Sequence, residues 1–219
     1  MVAITVALLG GESSGKTSLG LALTQQLNAL GVSTVLVPEH LRAWCEREGR
    51  APRAHEQGAI AEEQSRSIEA AMQSGVQVVV ADTTALVVAA YSERVFNDPS
   101  LLPSSLAAQK RFSLSLLMGL DLPWQADGLF RDGPGMRADV DAVLRRELQS
   151  ADVPFQTVYG TKTARLQHAL RAVGVLLSRP LVAHDPLLES GTGRWTCENC
   201  SDPECERRLF SGLLSSRSS

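Results

Sequence analysis

The segment Gly-Gly-Glu-Ser-Ser-Gly-Lys-Thr at residues 10–17 constrains this chain more than any other. It fits the pattern G-x-x-x-x-G-K-[ST], in which a strand, a glycine-rich turn and a helix N-terminus together hold phosphate groups. An apolar run at 3–9 precedes the motif, and a helical pattern begins at Lys16. Both flanks therefore match, and the sequence predicts a P-loop between the first strand and the first helix.

Within this loop, backbone N–H groups are expected to face the phosphates of a nucleotide. Lys16 supplies a positive charge for the β- and γ-phosphates, and the Thr17 hydroxyl is placed to ligate Mg²⁺. The predicted nucleotide contacts in the loop are Gly10, Gly11, Glu12, Ser13, Ser14, Gly15, Lys16, Thr17 and Ser18.

Apolar runs recur along the chain and alternate with segments of helical periodicity. The runs lie at 32–37, 76–81, 114–120 and 155–159, and a helix is expected over about 56–74. Such alternation is typical of an α/β protein with a parallel sheet covered on both faces. We therefore expect a P-loop NTPase fold with about five strands, formed by residues 1–177. Residues 178–219 are expected to form an appendage whose last residues, 215–219, are disordered.

Composition narrows the setting of this domain. The chain has 219 residues, 44% hydrophobic and 21% charged, with a net charge of −3. This balance gives no global basic field for nucleic acid or anionic lipid, and no apolar run approaches the roughly 20 residues that span a bilayer. The start of the chain lacks the basic segment of a secretory signal. We expect a cytoplasmic protein with reduced cysteines and no membrane or nucleic-acid partner; its oligomeric state stays open.

Two carboxylates follow predicted strands. Asp82 ends the run at 76–81, where a P-loop protein places its second Mg²⁺-associated acid; the alternative is a helix N-cap, and both roles can coexist. Glu39 follows the run at 32–37 and can orient an acceptor hydroxyl or take its proton. Arg42 lies three residues on and could face the same side, although an ordinary solvated pair is the alternative.

Residues 122–137 are rich in glycine, proline and charge and predict a lid loop. Arg131 or Arg137 could neutralise charge that develops on a transferring phosphate; the alternative is a surface loop with exposed arginines. Trp124 serves equally well as a packing residue or as a substrate platform. The turn Gly160-Thr161 is expected to lie against the nucleotide base, and the absence of an Asn-Lys-x-Asp run favours ATP over GTP.

Several of these segments together resemble the ribosylnicotinamide kinase domain of the NadR family. The resemblance lies in Gly-Gly-Glu-Ser-Ser-Gly-Lys, Glu39-His-Leu-Arg42, the helix at 60–64, Asp82-Thr83 and Trp124-Gln-Ala-Asp127-Gly with Arg131. It implies ATP- and Mg²⁺-dependent phosphorylation of a nucleoside 5′-hydroxyl. Catalytic roles then fall to Lys16, Glu39, Asp82 and Arg131, and substrate contacts to Glu39, Arg42, Gln64, Trp124 and Asp127. The family's Asp-Thr-Asp reads Asp82-Thr83-Thr84 here.

The C-terminal segment carries a separate motif. Cys197, Cys200 and Cys205 have the spacing C-x2-C-x4-C, and a C-x2-C pair suits tetrahedral Zn²⁺. His184 or Cys45 could complete such a site. An iron–sulfur site and a reduced tail that packs on the core are the alternatives.

Taken together, the sequence predicts a kinase that transfers the γ-phosphate of ATP to a nicotinamide-riboside-like nucleoside. An ATPase switch or regulatory ATP-binding module would share the same P-loop and is the main alternative. A third hypothesis is a binding module in which the cysteine tail contacts a protein or nucleic acid.

Overall fold

The computed structural model describes residues 2–125 and 134–182. These residues form an alternating series of strands and helices, as the sequence predicts. The strands are β1 (Ile4–Leu9), β2 (Thr34–Val37), β3 (Val78–Asp82), β4 (Leu114–Met118) and β5 (Gln156–Val158). The α-helices are α1 (Lys16–Ala29), α2 (His40–Glu48), α3 (Gln57–Met72), α4 (Ala85–Phe96), α5 (Leu102–Gln109), α6 (Pro134–Ser150) and α7 (Lys162–Leu176).

All five strands pair in parallel, in the order β2-β3-β1-β4-β5. The predicted α/β fold with a five-stranded parallel sheet is confirmed. Since β1 lies between β3 and β4, the chain leaves it toward one edge of the sheet and later returns to build the other edge. The P-loop therefore begins at the point where the direction of winding reverses, which is where open α/β sheets bind ligands.

Strand β1 is the centre of the core, and its alternate residues serve opposite faces of the sheet. Leu8 packs with Leu23 of α1 and Val173 of α7. Leu9 packs on the other face with Leu86 of α4 and the apolar side of α6. Side chains 6 to 9 have no exposed surface. Burial on both faces explains why residues 6–9 of β1 are all apolar and do not alternate with polar ones.

Several predicted element ends move inward by one or two residues. The run at 32–37 begins as a strand only at Thr34, because the N–H of Val32 bonds to the carbonyl of Leu27 and completes the turn after α1. The run at 114–120 ends as a strand at Met118, beyond which the N–H of Gly119 donates to Val158 on β5. Apolar residues thus continue past the ladder into the turns, where burial and not strand pairing selects them.

Some sequence expectations cannot be compared with the structure. Asp127 and Arg131 lie outside the described residues, as do His184, Cys197, Cys200, Cys205 and the segment 215–219. Cys45 lies on α2, half-buried beside Trp44. Over residues 2–125 and 134–182, no group of three or more potential metal ligands comes together, and no helix has the length and apolar character needed to cross a membrane.

His168 on α7 joins this helix to the sheet through a 3.1 Å hydrogen bond between its Nε2 and Oε1 of Gln156 on β5. Burial lowers the pKa of this imidazole, and the positive charge of Arg171 lowers it further. The folded chain therefore takes up a proton less readily than the unfolded chain. The neutral imidazole therefore contributes its full share of the free energy of unfolding above its ordinary pKa of 6.5. That contribution is lost as the pH falls below this value.

We expect the Tm of the wild type to fall between pH 7.5 and pH 5.5, and His168→Gln to reduce that fall. The matched control is His55→Gln, which changes an exposed histidine in the 3₁₀ turn Ala54–Glu56. Thermal unfolding at both pH values measures the effect. An equal fall of Tm in wild type and in the His168 variant would contradict the assignment.

Candidate active site

The P-loop leaves β1 through backbone that only glycine adopts easily. Gly10 has φ +143°, and a Cβ there would lie 3.0 Å from Oγ of Ser14 and 3.2 Å from Cβ of Met118. Gly15, with φ +86°, immediately precedes the first residue of α1. The two glycines thus turn the chain tightly enough for the loop to wrap around the N-terminus of α1.

Lys16 lies inside this loop and is only 7% exposed. Its Nζ donates to the Gly11 carbonyl at 2.9 Å, and Oγ of Ser14 donates to the same oxygen at 2.7 Å. The ammonium group is therefore held within the cradle by the loop itself. Its charge lies at the place where the sequence predicts phosphates.

Asp82 and Thr17 meet at the adjacent strand end. Asp82 pairs with Leu8 in the ladder between β1 and β3, which brings its side chain next to the loop. Oγ1 of Thr17 donates to Oδ2 of Asp82 at 2.6 Å. The predicted alternative of Asp82 as a helix N-cap is wrong, because α4 begins at Ala85 and Thr84 occupies its N-cap position.

The other oxygen of Asp82 tests whether the site fits Mg²⁺. Asp82 is 2% exposed, and within the described part of the chain its Oδ1 has no hydrogen-bond partner. A buried carboxylate oxygen without a partner is costly unless an ion or water satisfies it. A carboxylate beside a threonine hydroxyl is the donor set that a hydrated Mg²⁺ takes in P-loop proteins, so these residues fit the ion.

Glu39 lies at the same edge of the sheet. Val37 pairs with Ala81, so Pro38 and Glu39 extend past the strand end beside Asp82. Nε of Arg42 lies 3.8 Å from Oε2 of Glu39, which confirms that the two side chains face each other. The Arg42 side chain is 42% exposed, so this pair contributes little stability. This pair therefore does not by itself fix the position of either side chain.

Gln64 holds the backbone on both sides of Glu39. Its Oε1 accepts from the His40 N–H at 2.7 Å, and its Nε2 donates to the Pro38 carbonyl at 3.3 Å. The side chain is 1% exposed, so the structure gives it a positioning role. The predicted contact of Gln64 with a substrate stays a prediction. A polar residue in the i, i+4, i+8 series Ile60, Gln64, Ile68 was the sequence signal for a buried amide.

The first residues of the predicted lid contact the middle of the P-loop. Nε1 of Trp124 donates to Oε1 of Glu12 at 3.2 Å, and the N–H of Gln125 donates to Oγ of Ser13 at 2.9 Å. The backbone N–H of Glu12 donates to the Tyr91 hydroxyl at 2.8 Å. Glu12 and Ser13, between the glycines of the P-loop, therefore bond the loop to its neighbours, and Trp124 contacts the loop through its indole N–H.

Arg137 is placed differently from the cation that the lid pattern suggested. It is 8% exposed, and its guanidinium donates to the carbonyls of Leu122 at 2.9 Å, Ser13 at 3.3 Å and Leu120 at 3.4 Å. These bonds tie the guanidinium to backbone carbonyls of the P-loop and of the segment after β4.

One polar group at the loop was missed in the sequence. Arg165 on α7 is 2% exposed and bonds both the P-loop and the Gly160 turn. The sequence placed it within an ordinary helical pattern, and only the tertiary fold brings it to the site. Thr84, which stands where the resembling family has its second aspartate, is 3% exposed and donates to Oε1 of Gln109 at 2.8 Å, so its side chain faces the core.

A family model described as an AAA domain matches residues 5–165. The chain belongs to this AAA domain family. No curated protein sequence matches the chain.

Several solved structures have a fold similar to that of this chain. A NadR protein in complex with NR aligns with a TM-score of 0.63 and 20% identity over 85% of this chain and 54% of that chain. The chain thus spans about half of that NadR chain. Thymidylate kinase from Ehrlichia chaffeensis aligns with a TM-score of 0.57 and 14% identity over 80% of this chain and 100% of the other. Deoxyadenosine kinase from M. mycoides aligns with a TM-score of 0.53 and 11% identity over 78% of this chain and 100% of the other. The fold is therefore that of P-loop kinases.

The role of Gln64 can be tested by Gln64→Leu. We expect a loss of about 1–3 kcal/mol in the free energy of unfolding, because the backbone groups of Pro38 and His40 lose their bonds to the buried Gln64 amide. Hydrogen exchange of the His40 amide should also become faster. Denaturant unfolding and amide exchange measure the two effects.

Gln57→Leu is the matched control on the same helix. Gln57 is 4% exposed, and its Oε1 has no partner among the described residues, so its replacement should cost little. Equal unfolding free energies for the two variants would show that Gln64 does not hold the turn before α2.

Proposed function

We propose that this protein is a kinase that transfers the γ-phosphoryl group of ATP to a hydroxyl of a nicotinamide-riboside-like nucleoside. The observation that carries the proposal is that Lys16 lies within the P-loop and Thr17 bonds to Asp82 at the carboxyl end of β3. Glu39 follows the carboxyl end of the neighbouring strand, β2. This arrangement supplies a phosphate cradle, a metal-ligand pair and a carboxylate for an acceptor. We place the activity in the cytoplasm, in keeping with the composition.

The donor side follows from the loop. Residues 10–18 would hold the phosphates of ATP through backbone N–H groups and the N-terminus of α1. Lys16 would exchange the Gly11 carbonyl for phosphate oxygens, which needs little movement because its Nζ already lies within the cradle. Gly160 and Thr161, in the turn between β5 and α7, would face the base.

The Mg²⁺ ligands would be Thr17 directly and Asp82, whose buried Oδ1 has no hydrogen-bond partner in residues 2–125 and 134–182. The ion supplies neutralisation of phosphate charge when it is bound. The hydroxyl of Thr17 is already oriented by its bond to Asp82, so the ligand pair is preorganised.

The acceptor side depends on Glu39. Its side chain is 17% exposed and so can reach a bound ligand while the Gln64 amide fixes the backbone beneath it. It would orient the acceptor hydroxyl or take its proton. Arg42, Gln64, Trp124 and Asp127 remain the proposed substrate contacts, and Arg131 the cation for the transferring phosphoryl group.

The nucleoside class rests on resemblance. The sequence resembles ribosylnicotinamide kinases over residues 1–177, and the NadR protein with a similar fold was solved in complex with NR. The thymidylate and deoxyadenosine kinases of similar fold support a nucleoside-like acceptor in general. Zn²⁺ bound by Cys197, Cys200 and Cys205 remains a separate proposal, for which metal analysis of the purified chain is the test.

A panel of nucleosides with ATP and Mg²⁺ tests the proposed function. We expect nicotinamide riboside to stimulate ATP turnover and to yield the 5′-phosphate. Lys16→Ala should reduce kcat/KM by about 100-fold or more, because a preorganised charge at the phosphates is lost. Lys110→Ala, which changes an exposed lysine after α5, is the matched control.

Two outcomes would contradict the proposal. Slow ATP turnover that no nucleoside stimulates would indicate the ATPase switch instead. Nucleoside phosphorylation that persists in Lys16→Ala would show that the P-loop is not the donor site.

Asp82→Asn tests the proposed metal ligands. We expect the Mg²⁺ concentration for half-maximal activity to rise by roughly 10- to 100-fold, because the amide keeps the shape but removes the negative charge that holds the ion in place. Asp139→Asn, in an exposed pair with Arg94, is the control. An unchanged Mg²⁺ dependence in Asp82→Asn would exclude this carboxylate from the metal site.

A further inference from the structure

Arg165 is a buried cation directly behind the P-loop. It lies in the first turns of α7 and is 2% exposed. A Cβ added to Gly15 would lie 3.1 Å from its Nη1, so the guanidinium touches the turn that leads into α1. A charged group so deeply buried is costly unless it is fully hydrogen-bonded, which makes its partners informative.

Every N–H of this guanidinium has a partner within the protein. Nη1 donates to the Ser14 carbonyl and lies 3.8 Å from the Met118 sulfur. Nη2 donates to the Gly119 carbonyl at 3.2 Å and to Oδ1 of Asp121 at 2.6 Å. Nε donates to the Gly160 carbonyl at 3.0 Å. A guanidinium has five N–H donors, so none is left over for a phosphate.

Asp121 closes this network on its other side. Its Oδ2 accepts the N–H of Gly160 at 2.6 Å, while its Oδ1 accepts from Arg165. The backbone of Gly160 is thus held at both its N–H and its carbonyl. Three segments are tied together in this way: the P-loop, the end of β4 and the turn between β5 and α7.

The bond to the Ser14 carbonyl has a direct consequence for phosphate binding. In a planar trans peptide, the C=O and the following N–H point in opposite directions. Because Arg165 draws the Ser14 carbonyl toward the base of the loop, the Gly15 N–H is turned toward the opposite side. Arg137 holds the Ser13 carbonyl in the same manner at 3.3 Å, which turns the Ser14 N–H likewise.

We propose that Arg165, fixed by Asp121, is a positioning residue that orients the P-loop amides for phosphate. It acts through the loop backbone and does not contact the nucleotide. The proposal rests on the ATP-binding part of the proposed function and adds a residue that no sequence motif identifies. It also makes phosphate affinity dependent on a side chain from the last helix of the domain.

The test is the affinity for inorganic tripolyphosphate and for ATP, measured by calorimetry on the full chain. Tripolyphosphate has no base, so it reports on the cradle alone. In Arg165→Gln we expect both affinities to fall by about tenfold, in the range of losses seen when groups that orient a binding site are removed. The loss should persist in Arg165→Lys, which keeps the charge but lacks the planar fork. The Gly15 amide resonance should shift on addition of tripolyphosphate in the wild type and shift less in both variants.

Two further variants keep the test decisive. Asp121→Asn preserves shape and leaves Arg165 in place, so it reports on the network even if the arginine variants fail to fold; we expect a loss of about threefold or more in tripolyphosphate affinity. Arg145→Gln removes another largely buried arginine, bonded to Asp141 at 2.8 Å on α6, and should leave both affinities unchanged.

A folded Arg165→Gln chain that binds tripolyphosphate like the wild type, with only a lowered Tm, would overturn the proposal. Full affinity in Arg165→Lys would also overturn it, because charge without geometry would then suffice. A wild-type protein that binds ATP and tripolyphosphate but phosphorylates no nucleoside would contradict the proposed kinase function. It would not contradict the role of Arg165.

Discussion

A phosphate cradle made of backbone N–H groups works only if the carbonyls of the same peptides are held away from the phosphates. In this chain, that constraint organises much of what surrounds the P-loop. Lys16 and Ser14 occupy the Gly11 carbonyl, Arg137 the Ser13 carbonyl and Arg165 the Ser14 carbonyl. The loop therefore depends on two helices, α6 and α7, that enter the sequence more than a hundred residues later. The P-loop is a contiguous sequence motif, but its conformation depends on tertiary contacts.

The same arrangement explains how a chain with a net charge of −3 can build an anion site. Three cations lie at buried positions around the P-loop, whatever the balance of charge on the surface. Lys16, Arg137 and Arg165 are each 8% exposed or less. Burial of such groups is costly in isolation, so each is matched to carbonyl or carboxylate oxygens. Overall composition excludes a general affinity for polyanions but says nothing about a local one.

Whether a feature could be predicted from the sequence depends on how far apart in the chain its determining residues lie. The five strands could be predicted because buried parallel strands are rich in consecutive apolar residues, as in 78–81. Their ends could not, since Val32 and Gly119 are buried or bonded in turns and do not break the apolar pattern. The P-loop, Asp82 and Glu39 could be placed because parallel strands bring their carboxyl ends to one edge.

Gln64 and Arg165 show what sequence patterns leave undetermined. Each is buried on a helix that packs on the core, and helical periodicity does not identify the partner of its polar group. Most of these partners, the Pro38, His40 and Ser14 backbone groups, lie on segments distant in the chain. A polar residue within an apolar stripe is thus a signal that a partner exists, while the identity of the partner is a property of the fold.

Thr84 is a position that differs from the resembling family and takes no visible part in the proposed site. The resembling family has an aspartate at this position, whereas here the threonine hydroxyl donates to Gln109, which in turn donates to Ser115 at 2.9 Å. Thr84 is 3% exposed, so its side chain belongs to the core. The phosphate side of the proposed site does not depend on that position, because backbone groups and Asp82 serve it. The proposed acceptor side depends instead on Glu39 and Arg42, so acceptor choice can diverge at these two positions while Arg137 and Arg165 hold the backbone of the P-loop in place.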